Sequence, residues 1–540
     1  MVSKATSKNA NALKSVSIEV SSDSDLKRQV AALTERNRYL AEQLELLKRH
    51  IFGHRSEKLP ASLDSASAID LFGSEAVPVP AEIVPVHAHE RATNPKGHGR
   101  AVLPENLPCE VIQLDVPDSE KICSCCGKDR IRMGEDTRDE LDIIPPQFIK
   151  RRYIRPKYAC RTCTECGIAQ AEPAMCVIDK GIPSANLVVW IVLAKYLDHL
   201  PLYRIANQFK RWGVEIAETT MVGWIASVFE LLGPIHRALE HEIKTCGCLH
   251  VDETTLRVQR GEKDKLGLGK ASTDFLWAML GRKSDGTPIG VSFHYADGRQ
   301  HAVARALLDG VTGVVVSDGY GAYDQTCGDD KGIVHAACWA HARRKFHEAR
   351  QCGHTEADQP LKLIAKLYKA QQRIDSLTSS LITRSKRSGQ EMTQSEIDKV
   401  IVDRRRKWMK PLVDGIKTWN DQTRMSALPK GHLGKAVGYF DNQYSRLGKF
   451  LEHARVDLDN NIIERSIRPI AIGRKNWMVA GSEDGAERAA LLISLVGTCR
   501  MLSIDPTAYF CDVLLRVRMR PKNADCADLT PDKWMAARAK

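Results

Sequence analysis

No run among the 540 residues is long and apolar enough to span a bilayer. The longest, LVVWIVLA from Leu187 to Ala194, falls far short of the roughly 20 residues a helical span requires, and no membrane role is indicated. The N-terminal MVSKATSKNANALK is polar and lacks the apolar core of a signal peptide. A reducing cytoplasm is therefore expected, in which the 16 cysteines serve as metal ligands or buried apolar groups rather than as disulfides. No internal repeat is present. Acidic residues are in deficit, 67 against 79 basic ones, and the net charge of +12 favours an anionic partner. The excess is partly local, at Lys150 to Lys157, Ala342 to Phe346, Asp403 to Lys410 and Arg516 to Lys522. Taken singly, each such run reads as a solvated face.

What is present suggests a multidomain chain of mixed α and α/β character. Leu26, Val30, Leu33, Asn37, Leu40, Leu44, Leu47 and Ile51 alternate steps of four and three, the seam of a two-stranded coiled coil. Asn37 falls on that seam, where one buried amide favours a parallel dimer in fixed register. The N-terminal region is thus placed at 1–59, with its leucine zipper at about 24–52. Residues 60–108, rich in Ala, Ser, Pro and Val, read as a linker. A zinc-binding module follows at 109–173, then a helical, helix-turn-helix-like region at 174–245. The first part of a catalytic core is expected at 246–350, a helical insertion at 351–445, the second part of the core at 446–498 and a C-terminal tail region at 499–540.

Cys123 with Cys126, and Cys160 with Cys163, form two C-x2-C knuckles able to place four thiolates tetrahedrally around Zn2+. Cys125 and Cys166 are close competitors for the same role. A closed four-thiolate site has no open position, so this zinc would be structural. In PLYRIANQFKRWGVEIAETTMVGWIASVFELL, a helix from Leu202, a turn near Gly213 and a second helix from about Glu218 are predicted. Ile205, Phe209, Ile216, Met221 and Ile225 would close the pair. Thr219 and Thr220, at the start of the second helix, are candidate DNA contacts.

The strongest chemical signal is an order of elements. LHVDET ends a first strand with Asp252, FLWAMLG and PIGVSFHY continue as strands, HAVARALL is helical, and GVVVSDGYGAY delivers Asp318 at the tip of a fourth strand. IVHAACW is a fifth strand feeding the helix AHARRKFHEAR. This is the ribonuclease-H-like order, in which the first and fourth strands lie side by side and Asp252 would face Asp318. VDLDNNIIERSIRP supplies a third carboxylate. With Asp459 as cap, Asn461, Glu464 and Arg468 would share one helical face, Ile463 and Ile467 would turn inward, and Pro469 would end the helix. Asp252, Asp318 and Glu464 can together hold two Mg2+ (or Mn2+) ions for phosphodiester chemistry. Asp457 and Asp459 rival Glu464, and Asp297 or Asp324 rivals Asp318. His341, Arg468 and Lys475 are second-tier candidates for contact with the scissile phosphate.

These residues resemble the insertion-sequence 66 family of transposases along most of the chain. The resemblance rests on IFGHRSEKL, the paired knuckles, KYLDHLPLYRIANQF, HVDETTLRV, VVVSDGYGAY, CWAHARRKFHEA, DLDNNIIERSIRPIAIGRKNWMVAGSEDGAERAA and SLVGTCRMLSIDPTAYF. It implies that Asp252, Asp318 and Glu464 form an acidic catalytic triad, that the cysteine module binds zinc, and that Gln351 to about Ser445 is a helical insertion. The sequence departs from the family pattern at His54, where a second basic residue is expected, and in its extra cysteines. A bacterial cytoplasmic protein is implied, nucleoid-associated when bound to DNA, a homodimer or higher through its zipper, with element-encoded accessory proteins as further partners. It would bind the terminal inverted repeats of a mobile element, cleave the 3′ ends and join them to target DNA. Two other readings remain: a nuclease that stops at hydrolysis, and a DNA-binding regulator with an inactive catalytic fold.

Overall fold

A computed structural model describes residues 146–540 except 160–167, 180, 264–268, 329–331, 522–523 and 539–540, together with positions 34, 36, 121, 125, 128, 129 and 141. The zipper seam, the linker and the cysteines Cys123, Cys126, Cys160 and Cys163 lie outside the described residues. The chain divides into two compact units, Arg55–Ile149 and the remainder. The fold that positions the carboxylates belongs to the latter.

Strands β1 (Lys157–Ala159) and β2 (Ile168–Gln170) pair antiparallel. Ala159 and Ile168, which flank the second knuckle, lie side by side in this ladder. Helix α1 (Ala185–Tyr196) contains the longest apolar run of the sequence, and it is apolar all round because Val188, Val189 and Ile191 to Ala194 are buried in the helical core. The Ser184 hydroxyl caps it by accepting from the Leu187 amide at 3.3 Å. Among the described residues no helix is long and apolar enough to cross a membrane. Helix α2 (Leu202–Arg211), a turn at Gly213 with φ +84°, and helix α3 (Glu218–Lys244) follow as predicted. Ile205, Phe209, Ile216, Met221 and Ile225 are all buried between them.

Strands β3 (Cys248–Lys263), β4 (Gly269–Arg282) and β5 (Pro288–Ala296) form an antiparallel meander. After α4 (His301–Leu307) the chain returns as β6 (Gly313–Ser317), parallel to β3, and then as β7 (Ile333–Ala337), parallel to β6. Among the described residues the sheet therefore has five strands in the order β5-β4-β3-β6-β7, with the first and fourth strands adjacent. Helix α5 (Trp339–Gln351) leaves the end of β7.

The segment after α5 forms four long helices: α6 (Asp358–Arg387), α7 (Gln394–Trp408), α8 (Lys410–Arg424) and α9 (His432–Leu447). Their apolar faces continue the core of β6 and β7 through α5. Trp339 and Phe346 of α5 meet Phe440 and Trp419 with ring centroids 6.1 and 5.6 Å apart. The basic run at Asp403 is not wholly a solvated face. Arg405 is buried and donates to the carbonyls of Phe450, His453 and Ala454, and burial pushes its pKa down to about 10.

Helix α10 (Asn461–Trp477) carries Glu464. It runs straight through Pro469, contrary to the expectation that this proline ends it. The proline removes one helical hydrogen bond, but tertiary contacts hold the second half. Ile470 and Gly473 are buried, and Arg474 donates to the Thr254 and Thr255 hydroxyls of β3 at 3.1 and 2.7 Å. Helices α11 (Glu483–Met501), α12 (Pro506–Arg518) and α13 (Pro531–Arg538) complete the unit. Helix α11 closes the exposed edge of β5: the Ser494 and Thr498 hydroxyls accept from the Phe293 and Val291 amides at 2.7 and 3.0 Å. The approach is close enough that a Cβ on Gly290 would lie 2.8 Å from Thr498. Ser494→Ala is expected to strand the Phe293 amide and cost about 1–3 kcal/mol, read as a lower denaturant midpoint. An unchanged midpoint would mean that the edge is satisfied without the helix.

Candidate active site

Asp252 projects from the middle of the sheet and Asp318 follows directly on the end of β6. The parallel register pairs His250 with Val316, so Asp252 and Asp318 each lie two residues beyond that pair on neighbouring strands. Asp252 Oδ1 accepts from the Glu253 amide and Asp318 Oδ1 from the Tyr320 amide, both at 2.8 Å. The turn after Asp318 depends on Gly319, whose φ is +90° and whose missing Cβ would lie 3.0 Å from the Gln443 side chain. Helix α9 holds this turn from behind, with the Tyr439 hydroxyl donating to the Asp318 carbonyl at 2.8 Å.

Glu464 reaches the same place from α10. Its Oε1 lies 3.8 Å from His341 Nδ1, its Oε2 lies 3.8 Å from an Arg344 nitrogen, and both basic residues stand on α5. Among the described residues, Glu464 Oε1 and His341 Nδ1 are buried atoms with no hydrogen-bond partner. The carboxylates sense one another. Burial, partly offset by the Glu253 amide, pushes the Asp252 pKa up to about 7, and the negative charges of Asp318, Glu253 and Glu464 add to the rise. Burial also lowers the pKa of His341, against the opposing pull of Asp318 and Glu464.

The helix bearing Glu464 is tied to the strand bearing Asp252 by Asn460, which is fully buried. Its Nδ2 donates to the Val251 carbonyl, its Oδ1 accepts from His250 Nδ1, both at 2.8 Å, and its backbone amide donates to Cys338 Sγ at 3.2 Å. Asp459 takes the lesser capping role, accepting from the Asn461 amide at 3.1 Å. A second network joins the first two carboxylate segments. Glu253, only 2% exposed at its side chain, accepts from Arg299 Nε at 2.7 Å and from the Tyr323 hydroxyl at 3.0 Å. Arg299 in turn lies 3.7 Å over the Tyr320 ring.

The rival carboxylates have other partners or positions. Asp457 pairs with Arg282 and lies 3.2 Å from His250 Nε2, Asp324 pairs with Arg446 at 2.8 Å, and Asp297 is exposed. Of the second-tier residues, His341 stands beside Glu464, whereas Arg468 and Lys475 are exposed on α10. Thr219 and Thr220 are exposed in the first turn of α3. Sequence reasoning missed Asn460, Glu253 and the Tyr439 buttress; the adjacency of Glu253 to Asp252 and the unspent Asn460 beside a presumed cap were the signals available. Three carboxylates from β3, β6 and α10, with one orphaned buried oxygen and one carboxyl held toward neutrality, form an oxygen-rich set that suits a hard divalent cation.

Residues 180–488 match the model described as the Transposase IS66 family, residues 120–164 the zinc-finger binding domain of transposase IS66, and residues 39–112 a domain described as Transposase C of IS166 homeodomain. Uncharacterised proteins of Sinorhizobium fredii are similar over nearly the whole length: y4jD is 31% identical across 88% of this chain and 91% of its own, and y4qI is 30% identical across 91% and 88%. Among solved structures, a Drosophila P element transposase strand transfer complex shares 13% identity over 58% of this chain and 92% of that one, with a TM-score of 0.29. That likeness is too slight to assign a fold.

The Asp252 environment predicts a pH dependence. Its folded pKa of about 7 lies above the ordinary value of 3.8, so between these values the native state holds a proton that the unfolded chain has released. Stability of metal-free protein should therefore fall as pH rises through that window and level off above it. Asp252→Asn should flatten this part of the profile, measured as thermal midpoints across the window. Identical profiles for native protein and variant would rule out the crowded, buried placement of this carboxyl.

Proposed function

Since the chain belongs to the IS66 family of transposases, we propose that it binds the terminal inverted repeats of a mobile element, cleaves the 3′ ends and joins them to target DNA at Asp252, Asp318 and Glu464. The observation that carries this reading is the convergence of three carboxylates from separate elements around the orphaned Glu464 Oε1. The strand order, with the first and fourth strands adjacent, supports a ribonuclease-H-like core.

The three carboxylates would hold a pair of Mg2+ or Mn2+ ions, whose chemistry when bound is to activate a water or 3′-hydroxyl and to neutralise the leaving oxygen. The protein's own part is positioning. Glu253, Arg299 and Tyr320 keep the Asp252 strand and the Asp318 turn in fixed relation, and Asn460 sets the reach of Glu464. Arg344, 55% exposed beside Glu464, and the exposed Arg468 and Lys475 present positive charge to the backbone of a DNA strand. General affinity would come from such phosphate contacts and fall steeply with salt. Thr219 and Thr220, exposed in the first turn of α3, would contact the element ends. The cysteines Cys123, Cys126, Cys160 and Cys163 would hold structural zinc, and the zipper from Leu26 to Ile51 would hold two copies on the paired ends.

Strand transfer of labelled element-end DNA in Mg2+ or Mn2+ tests the assignment. Asp252→Asn, Asp318→Asn and Glu464→Gln should each lower product by about 100-fold or more while retaining DNA binding in a mobility-shift assay. Variants that join DNA as the native chain does would overturn it; native protein that cleaves without joining would point to a nuclease.

A further inference from the structure

Glu464 belongs to two donor sets of different chemistry. Its carboxylate partners on β3 and β6 offer only oxygen, whereas the α5 side offers sulfur and nitrogen. One ligand atom each from Cys338, His341 and Glu464 lie within 4.8 Å of one another. His341 Nδ1 and Glu464 Oε1, 3.8 Å apart, are both buried atoms without hydrogen-bond partners among the described residues. Ligand atoms around a tetrahedral Zn2+ are about 3.3–3.8 Å apart, given bonds of roughly 2.0–2.3 Å. Small side-chain rotations therefore close this set on one ion. Three protein ligands would leave the fourth position to water.

Burial raises the Cys338 pKa, so the residue is a thiol in the metal-free protein, and only backbone N–H groups around the sulfur, that of Asn460 first, pull the other way. The residue is the N-cap of α5, a 13-residue helix, so its sulfur sits at the positive end of the helix. The Asn460 amide also donates to Sγ at 3.2 Å. A mixed sulfur, nitrogen and oxygen set selects a borderline or soft cation over magnesium, which prefers oxygen and octahedral geometry.

We propose that Cys338, His341 and Glu464 form a site for a thiophilic divalent cation such as Zn2+, and that its occupation withdraws Glu464 from the Asp252–Asp318 set. On binding, the Cys338 thiol releases its proton to solvent and the Glu464 carboxylate turns wholly toward α5. The site would make the enzyme sensitive to free zinc while magnesium is abundant. The inhibitory consequence rests on the catalytic reading above; the binding site itself does not.

The test is cadmium titration of the full-length protein after its knuckles have been saturated with zinc, following thiolate-to-cadmium charge-transfer absorption. Native protein should show one more thiolate-bound equivalent than Cys338→Ser. His341→Ala, altered at a partly exposed position, should weaken that equivalent by at least about tenfold. Equal uptake and equal absorption in native and variant proteins would overturn the site. In magnesium-dependent strand transfer, added zinc should inhibit the native chain and spare Cys338→Ser; equal inhibition of both would overturn the withdrawal of Glu464. A protein that gives the cadmium signal yet joins no DNA would uphold the metal site and count against the transposase chemistry instead.

Discussion

The geometry of the carboxylates depends on one buried amide. Asp252 and Glu464 are separated by more than 200 residues, and no strand pairing joins their elements directly. Asn460 bridges them by using both ends of its side chain on β3, at Val251 and His250, while its backbone faces Cys338 at the start of α5. A buried amide left unpaired costs about 1–3 kcal/mol, so the helix cannot slide along the strand without breaking several bonds together. Glu464 lies one helical turn beyond this anchor and Asp252 one residue beyond Val251. Their relation is thus set within a few bonds of the pin.

The helical insertion serves the same geometry from the other side. Its apolar faces extend the core of β6 and β7. The same packing brings Tyr439 and Gln443 of α9 against the Asp318 turn. Buried Arg405 then fastens α7 to the carbonyls just before α10. The long insertion is therefore continuous with the supports of both the second and the third carboxylate, and α11 seals the far edge at β5 by lending hydroxyl acceptors to its amides.

Much of this was legible in the sequence. The strand order followed from the apolar runs that lead into Asp252 and Asp318, but the first strand does not end at Asp252 as expected: β3 runs on to Lys263, because its pairing with β4 continues past the buried stretch. The α2 turn was legible because Gly213 adopts positive φ, which few other residues tolerate. What escaped was what tertiary contact decides. Pro469 reads as a helix stop, yet buried Ile470 and Gly473 carry α10 past it. Lys475 was singled out, but Arg474 is the residue that reaches β3. Asp459 reads as the cap of α10; the residue beside it, Asn460, spends its side chain on a strand 209 positions away, and local pattern does not say which partner it takes.

Gathering acidic side chains in a partly buried place works against folding, and the structure shows where that opposition is absorbed. Glu253 is compensated by Arg299 and Tyr323, and Asp457 by Arg282. Asp252 has only a backbone amide, and Glu464 only basic groups at 3.8 Å. Glu253 and Asp457 are thus each paired closely with an arginine, whereas among the described residues Asp252 and Glu464 have no such close partner. A fold that satisfies its structural acids and leaves these two wanting positive charge has concentrated its electrostatic deficit at one point, where a cation lowers the energy of the whole arrangement.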